Sequence, residues 1–338
     1  MNMLHHSNGI NRLKYKKNKN IPKVIKTTVY VIIFILLSLA VFQLVLGKVY
    51  NEKYKSRFKY TRIDEKKVFY NDSGSGELTI VFDSDLGLDL NEWNSIEKSF
   101  KEKYNIKTFQ YNRLGYGNND GGSRVDLKKQ ADDLRLTLKK ANITGPYILV
   151  GSGYGSLVMT NFANTYPEIV KGVVLINPIN EEYIKDKEYI KNFSDSKFKY
   201  KVEYISAYFG ISYFREKLGL LKVPEGVVTS GDEELASEYM SNRIRSKYSQ
   251  AIYNEIINLE NGDSSSQIEG MLGDNPLAIV SREENMDKDK KLLALSKSRY
   301  ITQISTNSKG QYIPVSDKEK TLEAINYVLE KAKVNAKK

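Results

Sequence analysis

The stretch from Tyr147 to Ser156, Tyr-Ile-Leu-Val-Gly-Ser-Gly-Tyr-Gly-Ser, constrains the fold of this chain more than any other. A short apolar run breaks into a glycine-rich corner and resumes as apolar residues 157–163, which is the pattern of a buried strand turning sharply into a helix. The flanking sequence repeats that alternation. Residues 66–70 and 78–82 are β-rich runs joined by a turn-forming 71–76, residues 93–103 read as a helix, 106–111 as a strand, and 127–141 as a helix with apolar Leu127, Ala131, Leu134, Leu136 and Leu138. A strand over 147–150, a helix over 158–166 and a strand over 172–176 follow. Strands alternating with helices of about ten to fifteen residues predict βαβ units and a mostly parallel sheet covered on both faces.

Between residues 180 and 274 the alternation stops, and the segment is rich in charged and aromatic residues, with further helical pattern over 233–259. The sheet pattern then returns as a strand over 277–281, a helix over 288–296, a strand over 300–305 and an amphipathic closing helix over 318–332. The interruption therefore reads as a helical insertion in one domain.

The formal net charge of +11 belongs entirely to the N-terminal sixth of the chain, because residues 1–60 hold 12 Lys and Arg against the single acid Glu52. The remaining 278 residues balance 40 bases with 40 acids, which argues against a nucleic-acid-binding face. The basic arm instead borders residues 29–47, which are uncharged and almost wholly apolar, long enough to cross ~30 Å of hydrocarbon as a helix. Arg12, Lys14, Lys16, Lys17, Lys19, Lys23 and Lys26 precede the span without an acid, which favours a cytoplasmic N-terminus and an extracytoplasmic C-terminal domain. The segment is longer than the apolar core of a cleavable signal and ends without a small-residue cleavage site, so an uncleaved single-pass anchor is expected. The expected organisation is a basic cytoplasmic tail (1–28), a transmembrane helix (29–47), a linker (48–59) and a folded domain (60–334) with its cap at about 180–274.

Several motifs in this order resemble the α/β-hydrolase superfamily over residues 60–334. Gly74-Ser75-Gly76-Glu77 followed by Val81-Phe82-Asp83-Ser84-Asp85-Leu86-Gly87 is similar to the strand and oxyanion loop, and Tyr111-Asn112-Arg113-Leu114-Gly115-Tyr116-Gly117 to the family's YDRxGxG turn. Val150-Gly151-Ser152-Gly153-Tyr154-Gly155-Ser156 resembles the GxSxG nucleophile elbow. Residues 166–170 and 173–178 resemble the helix end and strand that follow, and Gly310-Gln311-Tyr312-Ile313-Pro314 resembles the loop carrying the family's histidine. The resemblance implies an α/β-hydrolase fold with a helical cap. Carried over position by position, it places Gly153 where the nucleophile stands and Gln311 where the histidine stands. It also puts a carboxylate, Asp85, in the oxyanion loop, where like charge would oppose an oxyanion. The acid position falls among Glu283, Glu284 and Asp287.

Acyl transfer on this fold needs an activated hydroxyl and a base beside it. Glycine has no hydroxyl and glutamine no titrating proton, and both histidines, His5 and His6, lie in the N-terminal tail. With no cysteine in the chain, a thiol nucleophile, a disulfide and a thiolate metal site are all absent. Glycine also suits the strained corner for conformational reasons alone.

Ser152 and Ser156 are the alternative nucleophiles, and Ser95/Lys98 and Ser194/Lys197 match SxxK, a spacing that a lysine-rich chain produces by chance. The glycine corner is also a weak match to a dinucleotide loop, lacking the final glycine and ending its next strand in Asn177. Tyr200, Tyr204 and Tyr208 with Phe209 form a helical stripe that either packs the cap on the sheet or lines an aromatic pocket, and Glu233, Glu234, Glu283, Glu284, Asp287 and Asp289 read as solvated surface. No metal constellation and no cofactor motif is expected.

The expectation is a membrane-anchored, catalytically inactive α/β-hydrolase-fold protein that binds a small apolar or acyl ligand or a protein partner, around Asp85, Leu86, Ser152, Gly153, Tyr154 and Gln311. The alternative is a serine-type hydrolase with non-standard residues acting on acyl or lipid substrates at the membrane.

Overall fold

The computed structural model describes residues 21–54, 58–103, 106–184, 186–224, 227, 233–262, 264–310 and 312–335. Eight strands form one sheet in the order β1-β2-β4-β3-β5-β6-β7-β8: β1 (Lys59–Ile63), β2 (Lys66–Ser73), β3 (Thr79–Asp83), β4 (Lys107–Tyr111), β5 (Tyr147–Ser152), β6 (Val170–Ile176), β7 (Leu277–Arg282) and β8 (Ile301–Thr306). β1 and β2 pair antiparallel, β2 runs antiparallel to β4, and all later pairs are parallel. A parallel strand covered on both faces should be apolar on both, and β5 is buried at all six positions.

Its side chains alternate between two core layers. Tyr147 and Leu149 join Ala131, Leu134 and Leu138 of α3 (Leu127–Lys140) and Met159 and Phe162 of α4 (Tyr154–Thr165). Ile148 and Val150 pack with Ile96 and Phe100 of α2 (Asn94–Lys103) and with Ala324, Ile325 and Val328 of the closing helix (Lys318–Asn335). The i, i+4, i+7, i+11 spacing of Leu127, Ala131, Leu134 and Leu138 gives α3 one inward stripe, and Asp126 caps it by accepting from the Lys129 amide at 2.7 Å.

The chain leaves the sheet between β6 and β7 to form the helical cap: α5 (Glu181–Ile184), α6 (Lys187–Ala207), α7 (Ile211–Lys217), α8 (Glu233–Arg243) and α9 (Ser246–Asn261). After β7 come a single turn, α10 (Met286–Asp289), a 3-10 segment (Lys290–Leu295), and a second single turn, α11 (Ile313–Ser316), before the closing helix α12 (Lys318–Asn335).

Three local expectations change. The helix expected over 288–296 is a short turn running into 3-10 geometry, which stacks Leu292 and Leu295 three residues apart on the buried side. The helix expected from 158 starts at Tyr154, immediately after the glycine corner. The N-terminal helix α1 (Ile21–Tyr54) runs beyond residues 29–47 and through much of the expected 48–59 linker, and β1 begins at Lys59. β1 is polar because it is the sheet's edge, turning into β2 through Asp64 and Glu65, both at positive φ (45° and 66°) as a tight two-residue hairpin requires. Within α1, Lys23–Val49, 27 residues, is long and apolar enough to cross a membrane.

Candidate functional site

The glycine corner is a true strand-to-helix elbow. Gly153 stands between β5 and α4 at φ 48°, ψ −115°, a conformation that a side chain strains by about 1–3 kcal/mol. Its amide donates to the Ile176 carbonyl at 2.9 Å, and its own carbonyl accepts from the Ser156 amide at 3.1 Å and the Ser156 hydroxyl at 2.6 Å. Gly155 lets α4 start against the end of β3, since a Cβ there would lie 2.5 Å from the Asp83 carbonyl oxygen.

The apex is filled from the loop after β3. Asp85 Oδ1 accepts from the Tyr154 amide at 2.9 Å and from the Leu86 amide at 2.6 Å, and a Cβ built on Gly153 would overlap all three carboxylate atoms of Asp85. In an active elbow, the amide after the nucleophile and an amide from the loop after this strand together hold the developing oxyanion. Here one carboxylate, 7% exposed, accepts from both corresponding amides and fills the space that a side chain at position 153 would need. The charge conflict expected at Asp85 is therefore a direct occupation.

The loop is fastened on every side. Glu92 Oε2 accepts from the Asp85 amide at 2.8 Å. The Tyr116 hydroxyl accepts from the Gly87 amide at 3.3 Å, Tyr248 donates to the Gly87 carbonyl at 2.7 Å, and Tyr312 donates to the Leu86 carbonyl at 3.3 Å. Beneath it, Arg113 of the turn after β4 donates to Asp83 at 2.5 Å, to the Ser84 carbonyl at 2.5 Å and to Glu255 of α9 at 2.7 and 3.1 Å. Its guanidinium lies between the rings of Tyr116 and Tyr154, 5.1 and 5.0 Å from their centroids.

Burial governs the ionisation of this cluster. It raises Asp85 above the usual carboxylate range, opposed by the Tyr154 and Leu86 amides and by the charges of Arg113 and Arg282. Burial and then the Asp85 charge push Glu92 up to about 8, so its carboxyl is mostly protonated at neutral pH. Burial likewise pushes the hydroxyls of Tyr116, Tyr248 and Tyr312 well up and keeps them as donors.

Of the residues expected at the site, Asp85, Gly153 and Tyr154 meet within hydrogen-bonding reach, with Leu86 beside them; Gln311 lies outside the described residues. Ser152 is 1% exposed, and the Ser156 hydroxyl is held by the Gly153 carbonyl and the Ile179 amide. Lys98 is exposed and Lys197 pairs with Glu260, while the side chain of Ser194 lies outside the described residues.

Glu283, Glu284 and Asp287 are exposed, as is Glu233, while Glu234's side chain lies outside the described residues. Asp289 departs from the expected solvated surface: it is 4% exposed, and burial raises it to about 6, offset by a hydrogen bond with Ser281 and by Lys288. The tyrosine stripe splits. Tyr200 turns inward beneath Arg243, 5.4 Å from its ring, whereas Tyr204 and Tyr208 pair with each other on the outside. Among the described residues no group of three or more His, Asp or Glu side chains is arranged to hold a metal. Glu92, Glu255, Tyr248 and Tyr312 complete the site without having been singled out in the sequence. A cavity of about 90 Å³ is lined by Arg113, Lys66, Gln130, Asp133, Lys247 and Glu255 among others.

The sequence profile of the alpha/beta hydrolase fold family matches residues 89–324. Uncharacterized protein YqjL of Bacillus subtilis strain 168 is 30% identical over 107 residues, which cover 31% of this chain and 41% of that protein; the match thus spans about two fifths of the relative's length. Solved structures with the same fold include the Cif epoxide hydrolase from Acinetobacter nosocomialis (TM-score 0.63, 15% identity, 84% of this chain and 96% of that one). A thermophilic esterase from Thermogutta terrifontis (0.61, 16%, 82% and 99%) and a putative acyltransferase from Salmonella enterica (0.63, 15%, 81% and 95%) are similar to the same extent. Neighbours of such different descriptions at such low identity share a scaffold, and the chain belongs to the alpha/beta hydrolase fold family.

Proposed function

We propose that this is a membrane-anchored α/β-hydrolase-fold protein that has given up hydrolysis and acts by binding a partner protein. The observation that carries this reading is Asp85, whose carboxylate occupies the elbow amides and the volume above Gly153. A substrate carbonyl entering there would displace a buried carboxylate from two amides and would meet no hydroxyl. The sealed apex favours a protein partner over a small acyl ligand. Lys23–Val49 supplies the anchor, and the basic residues before it favour a cytoplasmic N-terminus with the domain on the other side.

The test is hydrolysis of short and long p-nitrophenyl acyl esters by the full chain in detergent micelles, together with labelling by a fluorophosphonate. Turnover no faster than the buffer blank and no labelling are expected. Turnover abolished by Asp85→Asn, Ser152→Ala or Ser156→Ala would overturn the reading in favour of a hydrolase with non-standard residues. The chain has no native cysteine, so Lys309→Cys gives one reporter of sidedness. An impermeant maleimide should label it on intact cells; labelling only after lysis would reverse the orientation.

A further inference from the structure

Outside α1, eight of the eleven large hydrophobic side chains that are exposed among the described residues fall within residues 198–220 of the cap. A cap that met only water would not concentrate them so. Phe198, Val202 and Ile205 are spaced i, i+4, i+7 on α6, and Ile211, Phe214 and Leu218 follow on and just after α7. Between Phe198 and the end of α6 the one acid, Glu203, is turned inward and gripped by Arg243 and Arg215, so it does not interrupt the outer face, and the exposed Asp195 lies one turn before the stripe begins. Lys199, Lys201 and Lys222 are exposed along its border.

The same face carries α1. Phe42 lies edge-on to Tyr213 and stacks on Phe214, with ring centroids 5.4 and 6.4 Å apart. Gln43, a polar residue in the apolar run, is 8% exposed and donates to the Ile244 carbonyl at 3.0 Å. This contact fixes a depth. Leu36 is the middle residue of Lys23–Val49. Phe42 and Gln43 are then ~9–11 Å from the midplane at ~1.5 Å per residue, inside the ~15 Å half-thickness of the hydrocarbon. The part of α7 that touches them cannot stand clear of the membrane.

We propose that the cap face built by Phe198, Val202, Ile205, Ile211, Phe214 and Leu218 is immersed in the headgroup and upper acyl region of the bilayer that α1 crosses. The exposed lysines sit at the level of anionic headgroups, as on an interfacial amphipathic helix. This rests on α1 spanning the membrane, and the experiment separates the two.

Single cysteines at Phe198→Cys, Phe214→Cys, Leu218→Cys, Phe34→Cys and Lys309→Cys in the full chain carry a nitroxide label, in nanodiscs of equal parts phosphatidylcholine and phosphatidylglycerol. Collision with lipid-soluble oxygen is compared with collision with a water-soluble nickel chelate. Labels at 198, 214 and 218 are expected to favour oxygen over nickel several-fold more than the label at 309, and to approach the label at 34. Water-like values at 198, 214 and 218 with a lipid-like value at 34 overturn the immersed face and leave the anchor standing. A water-like value at 34 overturns the anchor itself. Labels at the three cap positions shielded from both reagents would mean that a second copy covers the face, which also overturns the proposal.

Discussion

The elbow and the outer face of the cap are opposites of what a soluble hydrolase would need. At the elbow, where substrate must enter, Asp85, Glu92, Tyr248 and Tyr312 close the apex with hydrogen bonds on every side. On the cap, where water should meet polar residues, Phe198 and Leu218 are each 72% exposed. The first region spends its polar groups on itself and the second presents apolar surface outward. On the proposed reading, the working surface lies on the exterior of the fold instead of its interior.

The sharpest way to break the interior half of this comparison is Arg113→Met. It leaves the buried carboxylates of Asp83 and Glu255 without their cation and should cost about 3–5 kcal/mol, read as a large fall in the thermal midpoint of the full chain in detergent. Gly153→Ala should follow, with about 1–3 kcal/mol from the positive φ and about 1–3 kcal/mol from overlap with Asp85. In an Asp85→Ala background the overlap is relieved, so the cost of Gly153→Ala should shrink. Equal costs in both backgrounds would mean that Asp85 does not fill the apex.

A smaller effect is expected from pH. Folded Glu92 keeps its proton up to about 8, whereas an unfolded glutamate gives it up near 4.5, so the folded state holds the extra proton across that window. This contribution to stability is complete below about 4.5, falls as pH rises by at most about 1.4 kcal/mol per unit, and is gone above about 8. Melting curves of Glu92→Gln should decline less over the same range. The smallest effect belongs to the exterior: Leu218→Ser in detergent should change stability by no more than about 0.5 kcal/mol. A loss as large as that of an elbow variant would mean that the face is packed against protein.

The parallel sheet, its helices and the cap were legible because β5 and α3 carry unambiguous periods and the glycine corner punctuates them. Gly153 and the placement of both histidines in the tail were legible as identities. The filling of the apex was not, since Asp85 is 68 positions from Gly153 in sequence and the direction of its carboxylate depends on the fold. Asp289 was misjudged because an acid in a cluster of acids carries no local sign that it turns inward beside Ser281. The tyrosine stripe misled for a geometric reason. Steps of four residues advance about 40° too far on a helix, so by Tyr208 the stripe that starts inward at Tyr200 faces out. Phe198, Val202 and Ile205 instead stay within a narrow sector.

The bond from Gln43 to the Ile244 carbonyl has a mechanical consequence. A domain joined to its span by a free linker would sweep a hemisphere and capture partners at a distance. Here α1 ends at Tyr54, β1 begins at Lys59, and the cap is clasped to the span a dozen residues earlier. On the proposed reading, in which α1 crosses a membrane, this clasp moors the domain close to the bilayer, its search becomes two-dimensional, and a partner would be one that arrives within one domain's height of the same membrane.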